Sequence, residues 1–208
     1  MIIYAQDPSF RALAYSLYDG NGTIYINKVS SPLGSKMTFE RIYDACQTQW
    51  YQLSQSVDTC LKESTIDKID KAVSEIPPPV GQFSSGLFAL DTFIIDKFNS
   101  KYSPNEFYII PPTFVGTVHG TRKYKKSDST ELANFLLSTV YKEYNIRMFD
   151  TISESGRHMK GKMNNDKAES LLFLSRMFVK YNIDNKAKEI VESMSGFGEE
   201  REKLLSAK

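Results

Sequence analysis

Four carboxylates in this sequence stand where a metal ion could be bound. Asp7 follows the apolar run MIIYA and precedes a proline, and Glu75 follows KAVS, just before three consecutive prolines. Asp166 and Glu169 lie three residues apart where an apolar helix is predicted to begin, so they share one face of its first turn. If the four side chains meet, their mutual repulsion raises their pKa values, and a divalent cation relieves that cost.

Such a site would suit hydrolysis of a phosphodiester. Oxygen-rich sites favour Mg²⁺ or Mn²⁺. Two such ions about 4 Å apart can activate a water and stabilise the leaving oxygen. Each carboxylate also has a structural explanation: Asp7 as a turn residue, Glu75 as the end of an edge strand, and Asp166 and Glu169 as partners of the helix dipole. Taken together, at these element ends, they favour the metal site.

The apolar patterns predict the strands that position these residues. MIIYA reads as a strand buried on both faces. FRALAYSLYD and TIYINKV are alternating runs joined by DGNG, which predicts a hairpin, so the chain opens with three antiparallel strands. IDKAVSEI predicts a fourth strand that ends at Glu75, EFYIIPP a fifth, and NIRMFDTI a short further strand.

Helical spacing alternates with these strands. The predicted helices are Thr38–Leu61 with Thr38 as N-cap, SSGLFALDTFIIDKF, SDSTELANFLLSTVYKEY opened by Asp128, NNDKAESLLFLSRMFVKY entered from Asn164, and the short NKAKEIVESM. This order predicts an α/β fold with a mixed sheet and helices on both faces. Functional residues then belong at the carboxyl ends of the parallel strands. The apolar stripe of residues 87–98 is either core or a contact with a second copy.

Composition narrows the classes of protein that fit. The chain has 208 residues with 41% hydrophobic residues and a net charge of +1, so a nucleic-acid partner would have to meet a local basic patch. Cys46 and Cys60 fall within one predicted helix, so a disulfide between them is not expected. The sequence also contains no CxxC pair of the kind that binds zinc. Both observations fit a reducing compartment. We find no signal-peptide pattern and no apolar run near the roughly 18 residues of a membrane span. We therefore expect a cytoplasmic protein with no membrane partner.

Four segments, quoted in chain order, resemble the RuvC-type Holliday-junction resolvases. IIYAQDPSFRALAYSLYD is similar to their opening strand, Asp and hairpin, and AVSEIPPPVGQFSSGLFALDTFII to their second motif with a strand-end Glu. YIIPPTFVGTVHGTRKYKKSDSTELANFL resembles the following strand, Gly/Lys loop and helix, and NNDKAESLLFL the closing acidic pair. The resemblance spans roughly residues 1 to 178. Its divergence is of a kind that suggests a phage or viral branch.

The resemblance implies an RNase H-like fold with a mixed five-stranded sheet, an antiparallel three-strand meander plus parallel strands. That domain would cover residues 1–180, with a C-terminal helical extension over 181–208. It also implies a homodimer that cuts branched DNA, such as four-way junctions, with two Mg²⁺ ions per site, which Mn²⁺ can replace.

The resemblance implies that the catalytic residues are Asp7, Glu75, Asp166 and Glu169. In this assignment Asp7 bridges two ions, Glu75 and Asp166 complete their ligand shells, and Glu169 holds the second ion or positions the water. The cut would leave a 5′-phosphate and a 3′-hydroxyl. Glu169 departs from the family, where Asp is usual at this place, and its extra methylene alters the reach of the carboxylate.

Two Gly-bearing basic segments are candidates for phosphate contacts. HGTRKYKKS contributes Arg122, Lys123, Lys125 and Lys126, and SGRHMKGK contributes Arg157, Lys160 and Lys162. Ordinary solvated charge explains either cluster alone, but both flank the predicted metal site. Phe83 could stack on an unpaired base at a crossover or could pack the entry of its helix into the core.

Three other functions stay open at this stage. The chain could be a different RNase H-like nuclease that acts on RNA–DNA hybrids or replication intermediates. It could be a branched-DNA binding protein without catalysis, although the four carboxylates argue against that. An actin-like ATPase shares the opening strand and Asp, but it needs Gly-rich phosphate loops and a much longer chain than 208 residues.

Overall fold

The computed structural model describes residues 1–9, 12–30, 38–75, 82–110, 126–151 and 158–185. Its strands are β1 (Ile3–Asp7), β2 (Ala12–Tyr18), β3 (Thr23–Ser30), β4 (Lys71–Glu75), β5 (Glu106–Ile110), β6 (Asn145–Thr151) and β7 (His158–Lys160). Its helices are α1 (Phe39–Glu63), α2 (Gln82–Tyr102), α3 (Lys126–Thr139) and α4 (Asn165–Lys180).

All seven of these strands form one mixed sheet in the order β5-β4-β1-β2-β3-β6-β7. β1, β2 and β3 are antiparallel neighbours, while β4 runs parallel to β1 and β5 parallel to β4. This is the RNase H-like order 3-2-1-4-5, and it confirms the predicted fold class. The sheet continues past the five predicted strands. β6, predicted as a short strand, is parallel to β3, and the three-residue β7 is too short to leave a pattern in the sequence.

The predicted hairpin between β2 and β3 is confirmed, and its turn chemistry is visible. The Asp19 carboxylate accepts hydrogen bonds from the backbone N–H groups of Asn21 (2.7 Å) and Thr23 (2.9 Å). Gly20 and Gly22 adopt φ values of 79° and 95°, which residues other than glycine rarely adopt. The DGNG stretch therefore fixes the register that brings β3 back alongside β2.

The alternation of β1 shows how the sheet divides two cores. Ile3 and Ala5 face a core shared with α3 and α4, whereas Tyr4 faces a core shared with α1 and α2. Asp7 has the same parity as Ile3 and Ala5, so its side chain belongs to the α4 face of the sheet. As predicted, β1 is completely enclosed, because strands lie on both sides of it and helices on both faces.

Two helix starts match their predicted caps. The Thr38 hydroxyl accepts a hydrogen bond from the Arg41 N–H at 3.4 Å, and the Asn164 side chain accepts one from the Lys167 N–H at 3.0 Å. Helix α3 differs: it begins at Lys126, so Asp128 lies inside its first turn, where its charge favours the helix dipole.

The apolar stripe of α2 is core. Leu90, Ile94 and Phe98 are fully buried against the α1 side of the sheet, and among the described side chains of this helix Phe88 is the exposed large apolar one. Cys46 and Cys60 are buried free thiols on α1. Among the described helices, none is long and apolar enough to cross a membrane.

The domain boundary at residue 180 stays a prediction. Tyr181 and Ile183 still pack against the core between the sheet and α4. Residues 186–208, which include most of the predicted C-terminal helix, lie outside the described part of the chain.

Candidate metal centre

Three of the four predicted carboxylates meet at one edge of the sheet. Asp7 is the last residue of β1 and Glu75 the last residue of β4. The two strands are parallel and paired through Gln6 and Ser74, so Asp7 and Glu75 lie side by side at their carboxyl ends. Glu169 joins them from α4, which packs across β1 and β2. Carboxylate oxygens of Asp7, Glu75 and Glu169 lie within 4.8 Å of one another.

The start of α4 is held so that Glu169 faces this edge. The Ser170 hydroxyl lies 2.9 Å from the Ser16 hydroxyl of β2, which ties the helix to the sheet. Asn165 donates from Nδ2 to Glu169 Oε1 at 3.0 Å, one turn earlier on the same helix. Glu169 is therefore oriented by its own helix before any ligand binds.

The electrostatics of this carboxylate group favour a cation. Burial raises the pKa of Asp7 well above its ordinary value, and the charges of Glu169, Glu75, Asp166 and Asp91 raise it further. Burial raises the pKa of Glu75 to about 7, with a further contribution from Glu169. A divalent ion removes both causes, because it neutralises the repulsion and supplies ligand bonds in place of water. Three hard oxygen donors of this kind fit Mg²⁺ or Mn²⁺.

Asp166 lies beside this group and has a partner of its own. Lys28 Nζ is 2.8 Å from Asp166 Oδ2, and both side chains are about one quarter exposed (26% and 27%). Lys28 comes from β3 and is in register with Ala14 of β2, which is in register with Asp7. The lysine thus stands in the same cross-strand row as Asp7, and the small Ala14 between them leaves room for its side chain. Sequence reasoning missed Lys28.

A second lysine, Lys167, ties the first turn of α4 to strand β6 and to the segment before the helix. The Lys167 side chain is completely buried, its Nζ lies 2.7 Å from Asp150 Oδ1, and it donates to the Lys162 carbonyl at 3.1 Å. Burial lowers the pKa of Lys167, and Asp150 opposes that shift. A Cβ on Gly161 would collide with Lys167 Nζ and would lie 2.7 Å from the backbone carbon of Phe149. The glycine is needed because the ammonium and the backbone of β6 fill its surroundings.

Asp91 is another residue that sequence reasoning missed. It lies on α2 and is fully buried, and neither carboxyl oxygen has a hydrogen-bond partner among the described residues. Burial raises its pKa to about 8, with a further contribution from Glu75. A signal was present in the sequence, because Leu87, Asp91, Ile94 and Phe98 follow helical core spacing and Asp91 is the polar member.

The predicted DNA-contacting residues are described only in part. Lys160 and Lys162 are exposed, in β7 and just before α4. Lys126 opens α3 and Phe83 lies in the first turn of α2, but the description does not extend to either side chain. The remaining candidates lie outside the described residues: Arg122, Lys123, Lys125 and Arg157.

Comparison with known proteins gives similarity at the level of structure. No protein-family profile matches the chain, and no curated protein matches it. The chain is similar to Thermus thermophilus RuvC, at 10% identity and a TM-score of 0.46 over 88% of this chain and 97% of that one. It is also similar to T. thermophilus RuvC in complex with a Holliday junction substrate, at 13% identity and a TM-score of 0.47 over 85% and 96% of the two chains.

A third similar structure is a ROK hexokinase from Thermus thermophilus, at 13% identity and a TM-score of 0.32. That match covers 57% of this chain and 36% of the hexokinase. At these identities and TM-scores the likenesses carry no conclusion about chemistry, which rests on the carboxylate geometry.

Proposed function

We propose that this chain is a Mg²⁺-dependent endonuclease that cuts branched DNA, with four-way junctions as its substrate. The observation that carries the proposal is the meeting of Asp7, Glu75 and Glu169 within 4.8 Å, from three separate elements, at the carboxyl edge of parallel strands. The motifs that resemble RuvC-type resolvases supply the substrate class. Among the alternatives, an actin-like ATPase is disfavoured because it needs Gly-rich phosphate loops and a much longer chain than 208 residues.

In this proposal the carboxylates hold the cations, and each has a distinct position. Asp7 is the most buried of the three, at 8% exposure, and stands between strand β4 and helix α4, so it would be the central ligand. Glu75 and Glu169 would be further ligands, and the hydrogen bond from Asn165 would keep Glu169 in place. When bound, Mg²⁺ would activate water and neutralise charge at the scissile phosphate.

Asp166 and Lys28 have a joint role in this proposal. Asp166 pairs with Lys28 and lies outside the group of three, where it would be available to a second cation. The Lys28 ammonium, about one quarter exposed, is the described cation best placed to meet a phosphate that approaches the carboxylates. On substrate binding, the Lys28 ammonium would therefore leave Asp166 and pair with the phosphate.

The DNA arms would be held by local basic surfaces, since the net charge of the chain is only +1. Lys160 and Lys162 are exposed close to the start of α4 and contribute to such a surface. Together with the Arg122–Lys126 segment, they would bind phosphates without reading sequence. A homodimer with two-fold symmetry would present two like sites to opposed strands of a junction.

The decisive experiment is side-by-side incubation of four-way, three-way and linear DNA with Mg²⁺. The wild-type chain should cut the four-way junction, and Asp7→Asn should abolish cutting while still binding the junction. Asp96→Asn is the matched control, because Asp96 is an exposed carboxylate on α2. Junction binding without any cleavage would replace the proposal with a DNA-binding protein. Preferential cutting of an RNA–DNA hybrid would replace it with a different nuclease.

A further inference from the structure

Helix α2 places an additional carboxyl group next to the metal centre. Asp91 lies on the helix that follows β4, the strand whose last residue is Glu75. Its side chain has no exposure to solvent, and both of its oxygens lack a hydrogen-bond partner among the described residues. Asp91 is close enough to the site to interact electrostatically with Asp7 and Glu75, and its charge contributes to the raised pKa of Asp7.

An unpaired carboxyl group in a core position is costly, because burial removes its hydration and nothing replaces it. Two other charged groups near the site avoid this cost. Lys28 pairs with Asp166, and the buried Lys167 pairs with Asp150. At position 91 the helix could carry an apolar residue, since Leu87, Ile94 and Phe98 occupy the neighbouring positions of the stripe. A cost that one apolar substitution would remove indicates that the carboxyl group serves the site.

We propose that Asp91 is a positioning residue of the metal centre, a buried outer carboxyl group whose free oxygens gain partners when Asp7, Glu75 and Glu169 hold a hydrated cation. Asp91 lies outside the group of oxygens within 4.8 Å, so it acts on the cation through these residues and through water. The inference rests on the cation binding of the proposed function and is independent of the DNA substrate.

Outer carboxylates of this kind orient the direct ligands, and their loss typically weakens metal binding about 10- to 100-fold. Asp91 would restrain Asp7 and Glu75 from the α2 side, while Asn165 restrains Glu169 from α4. The three carboxylates would then be held from both faces of the sheet. Without Asp91 they remain present but are free to turn away from the cation.

The test is an isothermal calorimetric titration of the DNA-free protein with Mn²⁺ and, separately, with Mg²⁺. Asp91→Asn keeps the size of the side chain and removes its charge, and Asp96→Asn is the exposed control on the same helix. We expect Asp91→Asn to weaken Mn²⁺ binding about 10- to 100-fold and Asp96→Asn to leave it unchanged. We also expect the cation-free Asp91→Asn protein to melt at or above the wild-type temperature. A purely structural role predicts a lower melting temperature with unchanged affinity.

Each outcome is decisive. Wild-type affinity in a folded Asp91→Asn protein overturns the role of Asp91 and leaves the proposed function standing. A wild-type protein that binds neither ion overturns both. If Asp91→Asn does not fold, carboxyl ¹³C NMR of the wild-type protein answers the question, because the Asp91 signal should move on saturation with Mg²⁺ while the Asp96 signal stays. An Asp91 signal that does not move overturns the inference.

Discussion

Lys28 and Asp166 form an ion pair of 2.8 Å at the margin of the Asp7, Glu75 and Glu169 group, with Lys28 in the cross-strand row that contains Asp7. The lysine brings a positive charge to a place where four carboxylates would otherwise repel one another. It is therefore a counter-ion for Asp166 within the protein, and under the proposed function it would compete with a metal ion for this carboxylate.

Removal of Lys28 should strengthen cation binding. In Lys28→Met, Asp166 becomes available and one positive charge near the site is lost. Because the pair is partly exposed, the effect should be on the order of 1 kcal/mol, or about fivefold in Mg²⁺ affinity. Calorimetric titration measures it, with Lys62→Met on the exposed end of α1 as the control. Weaker binding in Lys28→Met would show that the lysine organises the site instead of competing for it.

The cation-free protein should lose stability as the pH rises. Folding raises the pKa of Glu75 from about 4.3 in an unfolded chain to about 7. The folded state therefore holds the extra proton between these values, so this contribution to stability is full below about pH 4, falls as the pH rises from there, and is lost above about pH 7. The raised pKa of Asp7 acts in the same direction.

Thermal melts in EDTA at pH 5 and pH 8 measure this effect. The wild-type melting temperature should be lower at pH 8, and Mg²⁺ should restore it because the ion binds the ionised carboxylates. Glu75→Gln, which cannot ionise, should show a smaller difference between the two pH values. A wild-type protein that is equally stable at both, with or without Mg²⁺, would contradict the assigned electrostatics.

The length of the Glu169 side chain should affect the cleavage rate, although the RuvC-type resolvases that this sequence resembles usually carry Asp at this place. Glu169→Asp withdraws the carboxylate by one methylene, away from Asp7 and Glu75 and from the Asn165 amide. A displacement of about 1 Å at a catalytic group can lower the rate about 10²-fold. Junction cleavage under single-turnover conditions tests this, with the exposed Glu143→Asp as the control. Cleavage by Glu169→Asp at the wild-type rate would show that this side chain is not matched to the site.

Gly161 should not accept a side chain. In Gly161→Ala the new methyl group meets both Lys167 Nζ and the Phe149 backbone, which should cost about 1–3 kcal/mol. For a chain of this size that lowers the melting temperature by about 2–4 °C per kcal/mol. Adding Lys167→Ala should give no rescue, because the Phe149 carbonyl carbon, 2.7 Å away, remains. Recovery of stability in the double variant would place the whole conflict at the lysine.

Asp7, Glu75 and Glu169 could be found from the sequence because each sits at the end of a strongly patterned element. An apolar run that stops at an acid, or a capped helix that begins with acids, marks both the element and its boundary. Parallel pairing then brings strand ends to one edge, whatever the details of packing. The same reasoning predicted the hairpin at Asp19 and the enclosed position of β1, since both follow from local turn chemistry and hydrophobicity.

Lys28 and Asp91 could not be found in this way. The pairing of Lys28 with Asp166 depends on the register of β3 against β2 and on the place where α4 crosses the sheet, and neither is written in a short segment. Asp91 interrupts an apolar stripe, but its neighbours Leu90 and Ile94 still make the helix look like ordinary core. That Asp91 lies beside the carboxylate group becomes apparent only from the three-dimensional structure.

Strand β3 would form an outer edge if the sheet ended at five strands. It is eight residues long and mostly buried, and an exposed edge of that kind invites pairing with another chain. β6 covers it completely along Thr23 to Val29, so that, within the described residues, the outer edges are the five-residue β5 and the three-residue β7. The two added strands thus protect the protein against aggregation by sheet extension and leave β5, with Ile109 half exposed, as the longer edge for such contacts.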